Sequence, residues 1–183
     1  MFDTIIQALY FFLPAYVANM APVILAKFKL VEFLNVPVDF NRKLDGEPLF
    51  GRTKTWRGII GGAICGMLVI ALQTLIYKNV SGVAFLYLFV YDFPAVLLLG
   101  FLQGLGVGLA DLMKSFFKRR LHIPSSARFM PFDQMDFIGG VILGSLIYQL
   151  PTAHLAAILI ISPVLPMVAN WIAFRLKWKK VPW

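Results

Sequence analysis

ADLMKSFFKRRLHIPSSARFMPFDQMDFIGG, residues 110–140, sets three aspartates and five basic residues between stretches hydrophobic enough to enter a membrane. The apolar run that follows, Phe137–Leu150, has 14 residues, too few for the ~20 that a helix needs to cross a hydrocarbon core. Extending it to that length reaches back to Pro131 and carries Asp133 and Asp136 to the depth of one leaflet. Ionisable groups at such depth cost about 2.5–3.5 kcal/mol or more unless paired or hydrated. A segment that holds so many of them points to use in binding or chemistry.

Outward from this stretch the chain is apolar. Of 183 residues, 60% are hydrophobic and 14% charged, against about 25% charged in a soluble domain. An all-α integral membrane protein is expected, as one domain over residues 1–183. Five transmembrane helices fit the hydropathy: Thr4–Ala26, Gly58–Tyr77, Phe93–Met113, Pro131–Leu150 and Thr152–Phe174. The first carries Asp3 and no basic n-region, so it does not read as a cleaved signal peptide. With these spans, residues 27–57, 114–130 and 175–180 fall on one side and hold all 17 basic residues except Lys78. The positive-inside rule then sets the N-terminus outside and the C-terminus in the cytoplasm. Cys65 stands alone, which excludes a disulfide framework or a cysteine-rich metal site.

Asp111, Lys114, Ser115 and Lys118 recur at i, i+3, i+4 and i+7, one stripe of a helix continuing the third span; Arg119 lies beside it. Arg120 reads equally as a lipid-headgroup contact. Asp133 and Asp136, at i and i+3, would share a face of the fourth span. Antiparallel spans three and four would bring Asp111, Asp133 and Asp136 together. Oxygen donors without cysteine or a suitable histidine suit Mg²⁺, or Mn²⁺, over Zn²⁺. Ahead of the second span, FGRTKTWRGIIGG at residues 50–62 offers Lys54, Thr55, Arg57 and helix-start N–H groups to an anion; a basic interfacial anchor explains the same residues.

The remaining signals read as architecture. Glycines at four-residue spacing in spans two, three and four permit close helix contact. Asp92 before Pro94 resembles a helix cap. Val83–Tyr91 reads as an interfacial stretch. Pro163 and Pro166 are expected to kink the fifth span, and His154 and Asn170 to be satisfied locally.

Three motifs in order, KTWRGIIGG (54–62), DLMKSFFKRR (111–120) and PFDQMDF (131–137), resemble the CDP-archaeol synthase family, CTP-dependent cytidylyltransferases related to CDP-diacylglycerol synthases. The resemblance implies transfer of CMP from CTP to an isoprenoid ether-lipid phosphate, 2,3-bis-geranylgeranyl glycerol 1-phosphate, at the cytoplasmic face of the cell membrane, among membrane lipids and without nucleic acid. It implies roles in catalysis for Asp111, Asp133, Asp136 and Lys118, the three aspartates also holding metal. Lys54, Thr55, Arg57, Lys114, Ser115 and Arg119 would bind substrate. Two other readings are a polyprenol or phytol kinase, whose alcohol acceptor makes a base more useful, and a metal-ion carrier. Against the carrier, the aspartates gather at one face of the membrane.

Overall fold

Helix α3 (Trp56–Asn79) begins where Thr55, in extended conformation, turns its hydroxyl to accept the Gly58 N–H at 3.4 Å, an N-cap that satisfies one of the orphan donors of the first turn. In the computed structural model, which describes residues 2–89, 92–124, 127, 129–130, 132–178 and 181–182, α3 and α4 (Ala95–Arg120) are the two helices long and apolar enough to cross a membrane. The 26 residues of α4 exceed the ~20 required, so its last turns carry charge beyond the apolar part. Arg128, Pro131, Lys179 and Lys180 of the expected basic loops and fourth span, with Val90 and Tyr91 of the interfacial stretch, lie outside the described residues.

The expected first span is a bent pair, α1 (Phe2–Phe11) and α2 (Leu13–Lys27), meeting at 47°. Pro14 explains the bend. It has no N–H for the Tyr10 carbonyl four residues back, and that carbonyl instead accepts from Gln73 Nε2 at 2.6 Å. Gln103, fully buried, donates to the next carbonyl, Phe11, at 3.4 Å. Together the pair passes as a third candidate span.

The fourth expected span differs most. Helix α5 covers only Phe137–Gly144, preceded by a 3-10 turn at Phe132–Gln134. Asp133 Oδ2 accepts the Phe129 N–H at 2.6 Å, a local bond that favours a turn over a continuing helix. Pro151 restricts Leu150 to extended backbone at the other end. Asp133 and Asp136 therefore do not share a face of one α-helix. The fifth expected span is likewise divided, into α6 (Thr152–Ile161) and α7 (Val164–Arg175), with the break at Ser162–Pro163. Pro166 lies in the first turn of α7, where a missing N–H is tolerated. Asp92 does not cap α4 with its carboxylate; its carbonyl accepts the Val96 N–H at 2.9 Å.

The helices α2, α3, α4 and α5 pack in sequence, α3 against both α2 and α4, and α5 against α4. A core of Phe11, Phe12, Ile70, Leu99, Val107 and Phe137 seals their centre. Glycine makes the closest approaches possible: Gly106 faces the Gly139 backbone with no room for a Cβ between them. This contact draws the start of α5 against the middle of α4. Residues 28–55 fold over the charged end of these helices as a loop with a short hairpin, β1 (Lys43–Leu44) and β2 (Glu47–Pro48).

Candidate functional site

The loop is fixed from within. Asp39, 4% exposed, accepts N–H groups from Asn41, Phe50 and Gly51 at 2.9–3.0 Å. Burial alone would raise its carboxyl pKa, but these hydrogen bonds outweigh that and hold it below the usual range. Val38 N–H bonds the Lys54 carbonyl at 2.8 Å. The chain is thereby led into Lys54 and Thr55 at the mouth of α3, and Lys54 Nζ donates to Asp111 Oδ2 at 2.6 Å.

Across from it, Lys114 lies one turn beyond Asp111 on α4. Its ammonium contacts Asp136 Oδ2 at 2.6 Å, Asp111 Oδ1 at 3.2 Å and Asp133 Oδ1 at 3.8 Å. Lys118 reaches Asp133 Oδ1 at 3.6 Å and donates to the Ala127 carbonyl at 2.6 Å. The 3-10 turn and the start of α5 are thus tied to α4 by two lysines. This linkage, in place of a common helix face, brings Asp133 and Asp136 to Asp111.

These groups border a cavity of about 680 Å³, within the range of small-ligand sites. Lys54, Thr55, Asp111, Lys114, Ser115, Lys118, Arg119, Asp133 and Asp136 all line it. Arg57 does not. It is buried and donates from Nη1 to Glu32 Oε1 at 2.7 Å, fastening the loop to α3. Arg120 is tied to the hairpin, donating to the Pro48 carbonyl at 2.8 Å and covering the Phe116 ring, which takes it out of the role of a headgroup anchor. Arg119 keeps a buried Nε with no hydrogen-bond partner among the described residues, at the wall of the cavity.

Part of the lining is apolar: Met20, Pro22, Val23 and Ile24 of α2, Ala169 and Ala173 of α7, and Trp178. Asn19 and Asn170 stand on these walls. Sequence reasoning assigned Asn170 only a local role and passed over Asn19; a polar amide inside an apolar span was the available signal. His154, by contrast, is bonded to Gln7 at 3.0 Å away from the cavity.

Among the described residues no group of three or more acidic, histidine or cysteine side chains stands ready for a metal ion, and ammonium groups are interleaved with the carboxylates. The donor set nonetheless fits Mg²⁺ or Mn²⁺. It is oxygen only, and three carboxylates already converge on one cationic centre.

Comparison with known proteins gives this geometry a family. Residues 1–183 match the CarS-like CDP-archaeol synthases. The CDP-archaeol synthase of Pyrococcus abyssi is 36% identical over 99% of both chains, that of Archaeoglobus fulgidus 36% identical over the whole of both, and that of Pyrococcus furiosus 33% identical over 98% of both. A solved structure of an intramembrane enzyme for archaeal membrane lipid biosynthesis superposes with a TM-score of 0.66 and 28% identity, covering 89% of this chain and 92% of that one. Matched end to end in sequence and across most of its length in fold, the chain belongs to the CarS-like CDP-archaeol synthase family.

Proposed function

We propose that this chain transfers CMP from CTP to 2,3-bis-geranylgeranyl glycerol 1-phosphate, forming the CDP-activated ether lipid and pyrophosphate. The observation that carries the reading, beside family membership, is one cavity lined both by a lysine, arginine and aspartate cluster and by apolar side chains of α2 and α7. A triphosphate suits the first set and isoprenoid chains the second.

The chemistry needs little from the protein except charge and position. A lipid phosphate oxygen, anionic at neutral pH, attacks the α-phosphorus of CTP. The bond from that phosphorus to the bridging oxygen breaks, and pyrophosphate leaves with the electron pair. No proton has to be removed from the nucleophile, so a histidine base is not required. Two polyanions must approach each other, and Lys54, Lys114, Lys118 and Arg119 offset their repulsion. Thr55 and Ser115 offer hydroxyl groups to phosphate oxygens. A divalent ion held by Asp111, Asp133 and Asp136 would supply further charge neutralisation at the phosphates. Five membrane passages of one unit, with the basic loops and the cluster in the cytoplasm, are supported by the distribution of lysine and arginine.

The test is direct. Purified protein is incubated with CTP labelled at the α-phosphate or, in parallel, at the γ-phosphate, and either the ether-lipid phosphate or the corresponding alcohol. Label appearing in lipid, matched by pyrophosphate, is expected with the phosphate alone. Phosphorylation of the alcohol would replace the proposal with a kinase.

A further inference from the structure

Three carboxylates share one ammonium. Lys114 Nζ is the only cation among the described residues that reaches Asp111, Asp133 and Asp136 together. Lys54 pairs with Asp111 alone, and Lys118 with Asp133 and a backbone carbonyl. The oxygens are engaged elsewhere too: Asp111 Oδ2 accepts from Lys54 and Asp133 Oδ2 from the Phe129 N–H. Lys114 is 13% exposed, and its stem rises from within the unbroken helix α4, so the ammonium is held among the aspartates by a rigid element.

This arrangement has a consequence for any divalent cation. Bridging the three carboxylates, it would sit beside the ammonium that contacts all of them, and like charges at such range repel strongly in a water-poor setting. Three aspartates are balanced by three lysines, with Arg119 adjacent, so the cluster has no surplus negative charge to draw in a free metal. A nucleoside triphosphate changes both terms. Its phosphates accept from the lysines, and the carboxylates lose their counter-charges as they do so.

We infer that Lys114 is an internal counter-cation that makes divalent-metal binding at Asp111, Asp133 and Asp136 conditional on the nucleotide. The inference rests on the proposed function. The ammonium holds the three carboxylates until a triphosphate engages it, and metal and triphosphate then load as one unit. The pairing is reciprocal, so metal raises triphosphate affinity by the factor that triphosphate raises metal affinity.

Mn²⁺ is the probe, its free concentration read by electron paramagnetic resonance on the full-length protein in detergent. The wild type should bind Mn²⁺ weakly alone and at least about tenfold more tightly with saturating CTP, after correction for Mn²⁺ bound by CTP in solution. Lys114→Met should bind Mn²⁺ without CTP about tenfold more tightly than the wild type, and Mn²⁺ alone should raise its Tm. Lys114→Arg, which keeps the charge, should behave as the wild type. Equal Mn²⁺ affinity of wild type and Lys114→Met in the absence of CTP overturns the inference. Tight binding of Mn²⁺ alone to the wild type does so whatever the variants do, including the case in which Lys114→Met is unstable. Failure of the proposed function looks different: CTP-linked Mn²⁺ binding would persist without any labelled lipid product, or labelled product would form in excess chelator.

Discussion

Lys54 and Asp111, 57 positions apart, meet at 2.6 Å, and through this pair the loop that precedes α3 is set over the charged end of α4. Lys54→Ala should raise the KM for CTP much more than that for the lipid phosphate. One charge-assisted phosphate contact is worth about 1.5–3 kcal/mol, roughly a ten- to hundredfold loss in kcat/KM. Proximity is checked separately: in a Cys65→Ala background, Thr55→Cys and Ser115→Cys should crosslink with a short reagent, and CTP with Mg²⁺ should protect both thiols. Full labelling at saturating CTP, with no crosslink, would place the loop away from the site.

Asp136 and Asp133 enter the cluster through lysines, and they should differ on substitution. Asp136→Asn removes the closest partner of Lys114 and should abolish turnover while leaving a folded protein, judged by size-exclusion profile and Tm. Asp133→Asn should abolish turnover and also lower Tm, because its carboxylate accepts the Phe129 N–H that shapes the turn. Near-normal activity of both variants at low Mg²⁺ would remove the metal role from these residues.

The stripe Asp111, Lys114, Ser115 and Lys118 was legible because helical periodicity is local and α4 runs unbroken through it. The meeting of Asp133 and Asp136 with Asp111 was anticipated for an imperfect reason. Length alone suggested one long fourth helix, whereas the Asp133 carboxylate closes a turn and Gly106 against Gly139 supplies the approach. Such tertiary and side chain–backbone bonds leave no periodic trace. The place of Arg57 outside the cavity lining was hidden for the same reason. Its partner, Glu32, lies in a loop whose path no pattern in the chain reveals.

Gly106 tests the approach of α5 to α4. A Cβ there would meet the Gly139 backbone, which has no flexible end to yield. Gly106→Ala should destabilise by about 1–3 kcal/mol, the usual cost of overpacking, and lower activity by moving Asp136 away from Lys114. Gly108→Ala is the control, since its Cβ would find Ile59 atoms at 3.5–3.6 Å, an ordinary contact. Equal Tm values for the two variants would remove Gly106 from the positioning of the site.

Arg57→Gln separates fastening from binding. The guanidinium is buried against Glu32 and lies outside the cavity lining. The variant should lose Tm, with its KM for CTP within about threefold of the wild type when measured well below that Tm. Glu32→Gln should reproduce the Tm loss. A large rise in KM for Arg57→Gln without loss of Tm would return Arg57 to the nucleotide.

Asp39 gives the loop a pH dependence with a definite sign. Its carboxylate accepts three N–H groups and its pKa in the folded protein is lowered, against about 3.9 in an unfolded chain. A lowered pKa means that the folded state holds the proton less well than the unfolded one. The stabilisation is therefore complete above the unfolded value and disappears as pH falls through the folded one. Asp39→Asn replaces an acceptor-only group with an amide that can accept at a single oxygen, and should cost about 1–3 kcal/mol at pH 7. Lowering the pH from 7 towards 3 should reduce the Tm of the wild type more than that of the variant, so that the gap between them narrows below about pH 4. Lys54 follows from the same loop, and the variant should also show a raised KM for CTP. A gap in Tm that is unchanged from pH 7 to pH 3 would mean that the charge on Asp39 does not hold the loop.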